Sequence, residues 1–300
     1  MANIKSSISM DLTQPVFLGI DVHKHRWNAC FVHCSEVVGK FTIDGRIDAL
    51  KPLLKRYSGH TIYSVYEAGF SGFHLHHQLK GLGVHNIITS PNKIPKRVGD
   101  KVKTDKRDSV KLADYLSKKL LAAIYIPTPE AINLRQLLRT RMQYRKKLTA
   151  VVSQLKMLLI QFGFQFDMVG IPFYIREELK RMNLPSMIQF SLQMYLSEMA
   201  FLEDKIKEFD SHYKKGPEIA RYRMVYDLLI TIPGIGPLIA TVITYEIDDW
   251  SRFQNEKHIA AFVGLTPSEY SSGDHICKGR ITGQGNPWLR SLLIEASWKL

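Results

Sequence analysis

The sequence predicts an α/β domain followed by a largely helical region, and three observations support this. Short apolar runs alternate with helix-like segments between residues 16 and 121, which is typical of a mixed sheet with helices on its faces. Pro127 and Pro129 then interrupt the chain, and apolar residues recur at helical spacing beyond them. A Pro-Gly-Ile-Gly turn lies between two further apolar segments near the C-terminus. We therefore expect three parts, at 1–125, 126–215 and 216–300.

The α/β part begins with a strand that is predicted to lie inside the sheet. The run from Val16 to Ile20 is apolar throughout, as in a strand buried on both faces. Thr104 can cap a helix that ends near Leu121, after a basic loop at 91–102. The other predicted strands cover 27–33, 37–43, 61–67 and 84–89, and the other predicted helices are 46–57 and one that runs through Leu82. The order of the strands is left open.

Two segments of the middle part show the heptad spacing of a coiled coil. Apolar residues of the second segment alternate at steps of four and three over three heptads. The two helices, joined by residues 163–187, could pair with each other or with a second protomer, and the pattern fits both. The predicted contact positions are Leu137, Tyr144, Leu148, Val151, Leu155, Leu158 and Phe162 in the first helix, and Ile188, Leu192, Tyr195, Met199, Leu202, Ile206 and Phe209 in the second.

The balance of charges indicates a polyanionic partner. The chain has 41 Lys and Arg residues against 28 Asp and Glu residues, a net charge of +13. Such an excess favours nucleic acid or an anionic membrane surface. No apolar run reaches the length of a membrane-spanning helix, and the first residues lack the layout of a signal peptide. The sequence therefore favours nucleic acid, with no membrane partner.

The cysteines and histidines indicate neither a disulfide framework nor a zinc site. Cys30, Cys34 and Cys277 form no recognisable pairing, and the eleven histidines show no zinc spacing. We interpret Cys30 and Cys34, which share a face of a predicted strand, as small buried residues. This usage of cysteine indicates a reducing, cytoplasmic setting.

Four acids stand where a metal-dependent nuclease needs them. Asp21 and Glu67 each end an apolar run, and Asp105 and Asp108 lie one helical turn apart at the start of a predicted helix. Mg²⁺ prefers oxygen ligands, and acids so placed can converge on a pair of such ions, as in nucleases of the ribonuclease H type. The alternative is a set of solvated surface charges. Two of the acids follow strands predicted to be buried, where an unpartnered acid is costly, and this favours the metal site.

Basic residues surround the last two acids. Between residues 93 and 119 there are ten basic residues and four acidic ones. Positive side chains beside the metals would hold a phosphate backbone, and a solubilising charge run is the alternative. The candidate contacts are Lys93, Lys96, Arg97, Lys101, Lys103, Lys106 and Arg107, and Lys111 lies next to them.

The C-terminal part contains a second candidate phosphate site. Residues 228–240 have the form of a helix-hairpin-helix, in which Gly234 and Gly236 allow a tight turn and present amide N–H groups to a phosphate. A helix pair that binds nothing is the alternative. The residues alone identify no serine of the Gly-rich stretch 264–290 as a nucleophile. The other candidate nucleic-acid contacts of this part are Lys278, Arg280 and Arg290.

Motifs at both ends of the chain resemble one family of bacterial insertion-sequence transposases. Gly-Ile-Asp-Val at 19–22, Tyr-Glu-Ala-Gly at 66–69 and Lys-Thr-Asp-Lys-Arg-Asp at 103–108 resemble its N-terminal DEDD domain. Ile-Pro-Gly-Ile-Gly at 232–236 and the segment 264–290 resemble its C-terminal transposase domain. This is the insertion-sequence 110 family, which includes bridge-RNA-guided recombinases and is related to the Piv-type DNA invertases.

The resemblance implies a fold like that of the Holliday-junction resolvase RuvC for residues 16–125, with Mg²⁺ bound by the four acids. It also implies a serine that attacks DNA and forms a phosphoserine link, which matches Ser272, with the adjacent Ser271 as the second candidate. A homo-oligomer, a dimer or a tetramer, would bring acids and serine together from different protomers. The implied partners are donor and target DNA and a non-coding bridge RNA, in the bacterial cytoplasm at the nucleoid.

Three other readings stay open beside this one. They are a site-specific invertase that works without RNA, a hydrolytic junction endonuclease of the RuvC type, and a nucleic-acid-binding protein without catalysis. In the hydrolytic case Ser272 would be only a loop residue. Members of the family usually continue well beyond the segment that matches residues 288–298, whereas this chain ends at Leu300. We therefore expect a shortened C-terminal domain.

Overall fold

The computed structural model describes residues 11–95, 105–164, 170–270 and 277–298, without the side chains of residues 105 and 106. The chain forms two compact units, residues 1–126 and residues 127–300. In the described part of the chain, no helix is both long enough and apolar enough to cross a membrane. The predicted division of the second unit at residue 215 stays a prediction.

The first unit is built on a five-stranded mixed sheet. Its strands are β1 (Val16–Val22), β2 (Arg26–His33), β3 (Glu36–Asp44), β4 (Ile62–Glu67) and β5 (His85–Thr89), in the order β3-β2-β1-β4-β5. β1 is antiparallel to β2 and parallel to β4, which is in turn parallel to β5. The mixed sheet is therefore confirmed, and β1 lies in its centre, as its apolar run predicts.

Helices cover both faces of this sheet. The first face packs against α1 (Ile47–Lys55) and α2 (His74–Gly81), in a core that includes Leu18 and Ile20 of β1. The second face packs against α3 (Asp105–Ser117), where Ala113 joins Cys30 and Val32 in a separate buried cluster. Cys30 is therefore the small buried residue that the sequence predicts, whereas Cys34 is exposed in a turn. The predicted cap of α3, Thr104, lies outside the described residues.

The second unit is mainly helical. Its helices are α4 (Pro129–Gln161), α5 (Phe173–Lys180), α6 (Ser186–Ser211), α7 (Ala220–Ile230), α8 (Pro237–Ile247), α9 (Glu256–Val263) and α10 (Pro287–Ser297). A short antiparallel pair, β6 (Pro267–Glu269) and β7 (Lys278–Ile281), lies between α9 and α10. The sequence predicts only a loop there, because three- and four-residue strands give no readable alternation.

The two helices with heptad spacing pack against each other within the chain. Leu148, Val151 and Leu155 of α4 lie in one buried cluster with residues of α6. Leu159 is buried in place of the predicted Leu158, and Phe162 is 38% exposed because α4 ends before it. The α6 residues of this cluster are Leu192, Leu196, Met199, Leu202 and Ile206. Supercoiling of the pair, and pairing with a second protomer, stay predictions.

Candidate active site

Asp21 and Glu67 leave two neighbouring strands at the same edge of the sheet. β1 and β4 are parallel and pair as far as Ile20 opposite Tyr66, and the two acids are the next residues of their strands. The acid of β4 in turn pairs with Thr89 at the end of β5. Parallel pairing therefore places the two carboxylates side by side, as the sequence predicts from strand ends alone.

The two acids also share one face of the sheet. Four residues before them, Phe17 and Tyr63 stack with their ring centroids 5.8 Å apart, so these rings lie on one face. Side chains alternate along a strand, so residues two and four positions further on point to that same face. Asp21 and Glu67 therefore lie on the face with these rings, and the opposite face holds the main apolar core.

A glycine lets α3 approach this face closely. A Cβ atom at Gly19 would collide with the carbonyl oxygen of Ser109 and would lie 2.5 Å from the amide nitrogen of Ala113. Gly19 and Asp21 are two residues apart on β1, so α3 lies on the face that carries the acids. Only a residue without a side chain allows the helix backbone to pack this near to the strand.

The start of α3 lies at the edge of the sheet that carries the acids. Ala113, in the second half of the helix, packs with Cys30 and Val32, which are opposite Gly19 and Phe17 of β1. The helix therefore runs away from the ends of β1 and β4. Its first turn, which contains the half-buried Asp108, is at the end of the sheet where the strand acids emerge.

His23 is a site residue that the sequence analysis missed. Its Nε2 atom lies 3.0 Å from Oδ2 of Asp21, whose side chain is 19% exposed. Residues 21 and 23 share a face of the extended chain, so the alternation of β1 contains the signal for this contact.

Asp21 and Glu67 offer carboxylate oxygens side by side at one edge of the sheet, and this type of donor suits a hard divalent cation. Asp105 is the first residue of α3, but its side chain lies outside the description. Among the described side chains, no three His, Cys, Asp or Glu residues are close enough to hold a metal ion. Metal binding by the full quartet therefore stays a prediction.

The basic residues predicted to surround the last two acids are called the basic rim here, and two exposed members of it are described. Lys93 ends a 3-10 turn that follows β5 at the acid edge, and Arg107 lies on the first turn of α3. Their proximity to the acids fits a role in holding a phosphate backbone. Outside the described residues or side chains lie Lys96, Arg97, Lys101, Lys103 and Lys106.

A hydrogen-bonded turn fixes the chain directly after Glu67. The hydroxyl of Tyr66 donates to the carbonyl oxygen of Gly72 at 3.0 Å and accepts from the backbone amide of His76 at 3.2 Å. Burial raises the pKa of Tyr66 to about 12, and the hydrogen bond from His76 offsets only part of this. The hydroxyl therefore stays protonated and keeps its role as a donor at neutral pH.

The segment that carries the predicted nucleophile connects β6 and β7. Ser271 and Ser272 lie outside the described residues, and so does His275. The hairpin closes next to them, where the amide of Tyr270 donates to the carbonyl oxygen of Cys277 at 2.9 Å. Of the predicted nucleic-acid contacts of this region, Lys278 and Arg280 are exposed on β7.

Contacts of Arg290 and Gly285 join the end of α9 to the residues that follow β7 and to α10. Arg290 donates through Nη1 to the carbonyl oxygens of Val263 at 2.9 Å and Gly283 at 3.0 Å. A Cβ atom at Gly285 would lie 2.5 Å from both the amide nitrogen of Gly264 and the carbonyl oxygen of Phe262. Arg290 thus has a structural role in addition to any contact with nucleic acid, which stays a prediction.

A buried acid joins three helices of the second unit. Glu246 of α8 is 2% exposed and accepts from Arg139 of α4 through two nitrogens, each at 2.7 Å. Asn286 donates to the same carboxylate at 2.7 Å, and its own oxygen caps α10. One carboxylate therefore fixes α4 and the start of α10 to α8.

The predicted helix-hairpin-helix residues form a turn between α7 and α8. Gly234 has a φ of +79°, a left-handed conformation that favours glycine. Gly236 is the N-cap of α8, with Pro237 in the first turn. A glycine-containing turn thus joins two helices here, and both the helix-hairpin-helix assignment and phosphate binding by its amides stay predictions.

Comparison with known proteins gives two matches within the chain. Residues 226–300 match the family described as "Transposase IS116/IS110/IS902 family", and residues 18–163 match the DEDD transposase domain of the IS110 group. Several transposases and DNA-inverting proteins are similar over most of this chain.

Three of these relatives illustrate the range of sequence identity and coverage. The transposase for insertion sequence element IS1533 of Leptospira borgpetersenii is 26% identical and covers 96% of this chain and 86% of its own length. The transposase for IS1111A of Coxiella burnetii is 24% identical over 93% of this chain and 76% of its own. The pilin gene-inverting protein of Moraxella lacunata is 27% identical over 92% of this chain and 80% of its own.

Proposed function

Because this chain belongs to the IS110 family of transposases, enzymes that cut and rejoin DNA, we propose that its first unit binds divalent metal and its second supplies a serine nucleophile. One observation carries this proposal. Asp21, Glu67 and the first turn of α3 converge on one face and one edge of the sheet. Two strand acids side by side, with a helix that carries two further acids packed closely on the same face, support a metal site over scattered surface charges.

The proposed metal ligands are Asp21, Glu67, Asp105 and Asp108, and Mg²⁺ is the proposed ion. The ion would neutralise charge on the phosphate and stabilise the leaving oxygen. The protein's own part is to hold the acids in place. Strand pairing fixes the first two, and the close packing of α3 at Gly19 fixes the helix that carries the other two. Lys93 and Arg107 would hold the phosphate backbone beside them.

We assign the nucleophile to Ser272, with Ser271 as the alternative. The serine oxygen forms a bond to phosphorus while the bond from phosphorus to a deoxyribose oxygen breaks, and the serine proton leaves as the freed oxygen gains one. The phosphoserine link keeps the energy of the phosphodiester bond for rejoining, which water attack would lose. The proposed enzyme is a dimer or a tetramer in which acids and serine come from different protomers.

The proposed guide for target choice is a non-coding bridge RNA that pairs with donor and target DNA. The net charge of +13 supports a large polyanionic partner, and guidance by pairing would need no base-reading motif in the protein. The pilin gene-inverting relatives favour a second candidate, a site-specific invertase that needs no RNA.

The serine and the metal site can be tested with one covalent-adduct assay. The full chain, its Ser272→Ala variant and the matched Ser271→Ala variant are incubated with DNA of the element ends and Mg²⁺, then denatured. We expect a protein–DNA adduct with the wild type and Ser271→Ala, and none with Ser272→Ala or Asp21→Asn. A normal adduct in Ser272→Ala would refute the serine assignment. Free ends without any adduct, lost in Asp21→Asn, would favour the hydrolytic endonuclease.

The requirement for a guide RNA can be tested separately, by measuring DNA strand exchange before and after ribonuclease treatment of the purified protein. We expect the purified protein to carry a discrete RNA and to lose strand exchange when ribonuclease removes it. Adding back the transcript should restore exchange. Strand exchange at full rate by RNA-free protein would establish the invertase candidate instead.

A further inference from the structure

Asn286 connects the chain that leaves β7 to three helices. Its backbone amide donates to the carbonyl oxygen of Phe262 in α9 at 2.8 Å. Its side-chain oxygen accepts from the amides of Trp288 and Leu289 at 3.0 and 3.2 Å, which caps α10. Its side-chain nitrogen donates to Oε2 of Glu246 in α8 at 2.7 Å. One residue therefore fixes this part of the chain relative to α8, α9 and α10.

The chain that enters β6 and the chain that leaves β7 run side by side towards this residue. The amide of Thr282 donates to the carbonyl oxygen of Thr266 at 2.8 Å, directly beyond the paired strands. Further along, a Cβ atom at Gly285 would lie 2.5 Å from the amide nitrogen of Gly264, the residue that ends α9. Both ends of the β6–β7 hairpin therefore meet next to Asn286.

The strands of this hairpin contribute little to holding it in place. All four residues of β7 are exposed, and so are two of the three residues of β6. An isolated pair of strands is at best marginally stable in water and needs packing against other elements. The position of the hairpin therefore depends on the contacts at its base.

The bond between Asn286 and Glu246 requires a donor on the side of Asn286. The carboxylate of Glu246 only accepts, and Arg139 already donates to it through two nitrogens, each at 2.7 Å. An aspartate at position 286 has nearly the same shape as asparagine and also caps a helix well. It would, however, place a second carboxylate against a buried one, which is costly. Asparagine satisfies both requirements, the cap and the donor.

We propose that Asn286 and Glu246 are positioning residues for the nucleophile, because they fix the base of the hairpin that carries Ser272. This inference rests on the proposed function, in which that serine attacks DNA. A misplacement of about 1 Å, caused by a change away from the chemistry, can cost on the order of a hundredfold in rate. Loss of the bond should therefore slow the attack on phosphorus and leave DNA binding unchanged.

The test is a cycle of full-length variants in which donor and acceptor are exchanged. Asn286→Asp removes the donor, and Glu246→Gln leaves one acceptor oxygen for two donors. The double variant restores the bond in reverse, with the glutamine amide donating to the aspartate. Single-turnover adduct formation is measured at saturating DNA of the element ends with Mg²⁺, and DNA affinity is measured separately. We expect each single variant to be about 10- to 100-fold slower at unchanged affinity, and the double variant to recover most of the rate.

A spin label reports the position of the hairpin without any cleavage. Cys277 precedes β7 and is exposed, whereas Cys30 is buried, and burial raises the pKa of its thiol to about 11. In a Cys34→Ser background a nitroxide reagent therefore labels Cys277. We expect its electron paramagnetic resonance spectrum to show greater mobility in Asn286→Asp and to return to the parent spectrum in the double variant. Asn286→Ser still caps α10 but is too short to reach Glu246, so it should also show greater mobility.

Glu203→Gln is the matched control, because it breaks a paired carboxylate of the same unit away from the hairpin. Glu203 of α6 accepts from Arg176 of α5 through two nitrogens, at 2.7 and 2.6 Å. This variant should change neither the adduct rate nor the label spectrum. An equal loss of rate in Glu203→Gln would overturn the proposal, since general loosening of the unit would then explain the effect.

The two measurements separate this inference from the proposed function. A wild-type adduct with an equal rate in Asn286→Asp would overturn the inference and leave the proposed function intact. A double variant as slow as the single ones would also overturn it, and a lower melting temperature with unchanged rate and spectrum would assign the pair a structural role only. No adduct with the wild type would refute the proposed function, and the label spectra would then decide whether Asn286 and Glu246 fix the hairpin.

Discussion

A buried chain of polar side chains ties β4, β5 and α2 together behind the site. The hydroxyl of Ser64 donates to Oδ1 of Asn86 at 2.7 Å, and Nδ2 of Asn86 donates to Nδ1 of His76 at 2.9 Å. Burial lowers the pKa of His76, and the nearby His77 and Lys80 lower it further. The imidazole is therefore neutral in the folded protein, with Nδ1 as an acceptor.

This arrangement predicts a loss of stability in mild acid. The unfolded chain binds a proton at His76 near the ordinary pKa of 6.5, whereas the folded chain binds it only at lower pH. The unfolded state therefore holds more protons below 6.5, so the free energy of unfolding is highest above that pH and falls as pH decreases. Urea unfolding between pH 7.5 and 5 should show this fall.

A pair of histidine variants isolates the contribution of His76. We expect His76→Gln to be less stable than the wild type at pH 7.5, but to lose less of its stability between pH 7.5 and pH 5. The exposed His258→Gln should follow the wild type. If His76→Gln keeps the full pH dependence, the titration belongs to other groups.

At the level of elements, the close approach of α3 to β1 holds the helix that carries Asp108 on the face of the strand acids. Replacing Gly19 with Ala inserts a Cβ atom where the backbones of Ser109 and Ala113 already lie. Because neither backbone can yield without moving the helix, we expect a loss of about 1–3 kcal/mol in the free energy of unfolding. Cutting of DNA should fall more than DNA binding does, since α3 carries Asp108.

Gly81→Ala is the matched control for this change. Gly81 ends α2, and a Cβ atom there meets nothing within 4 Å. Alanine is also the better helix former, so this variant should be as stable as the wild type or slightly more so. Urea unfolding and the adduct assay measure both effects. A Gly19→Ala protein with normal stability and normal adduct yield would show that α3 need not approach β1 this closely.

The strands of the first unit could be predicted from the sequence, but their order could not. The apolar runs that end at Asp21 and Glu67 give the strand positions within one or two residues. Pairing between β1 and β4 joins segments that are far apart in sequence, so no local pattern encodes it. The sequence therefore predicts that the two acids are close only because each of them ends a strand. The physical reason for their closeness is the parallel pairing of β1 with β4.

The contacts that hold the site together were harder to foresee. Gly19 reads as one small residue in an apolar run, and its role depends on a helix that follows some ninety residues later. The structural role of Glu246 is easier to recognise from the sequence than that of Gly19. Glu246 is the single charged residue of α8, whose other residues are apolar, Thr or Tyr. An acid in such a helix indicates a buried partner. That partner, Arg139, could not be identified without the packing of α4 on α8.

For the whole molecule, the excess of positive charge predicts DNA binding that weakens strongly with salt. Each phosphate contact releases bound counterions, so the logarithm of the binding constant falls linearly with the logarithm of the salt concentration. Lys93→Ala and Arg107→Ala should each lower the magnitude of this slope by about one. Lys55→Ala removes an exposed lysine on α1, on the opposite face of the sheet, and should leave it unchanged. Fluorescence anisotropy with a short DNA duplex measures the slopes. Equal slopes in all three variants would show that Lys93 and Arg107 of the basic rim do not contact DNA phosphates.

The position of β1 in the centre of the sheet also determines when the protein becomes able to act. β1, β2 and β3 are successive hairpin neighbours, so they can pair as soon as these residues leave the ribosome. Pairing of Val16 with Ile62 closes a much longer loop, and α3 is added later still. Since the entropy cost of closing a loop grows with its length, we expect the three-stranded meander to form first. If the proposed metal site is correct, α3 joins the strand acids only in the last steps of folding, and we expect a nascent or partly unfolded chain to bind DNA through its charge without cutting it.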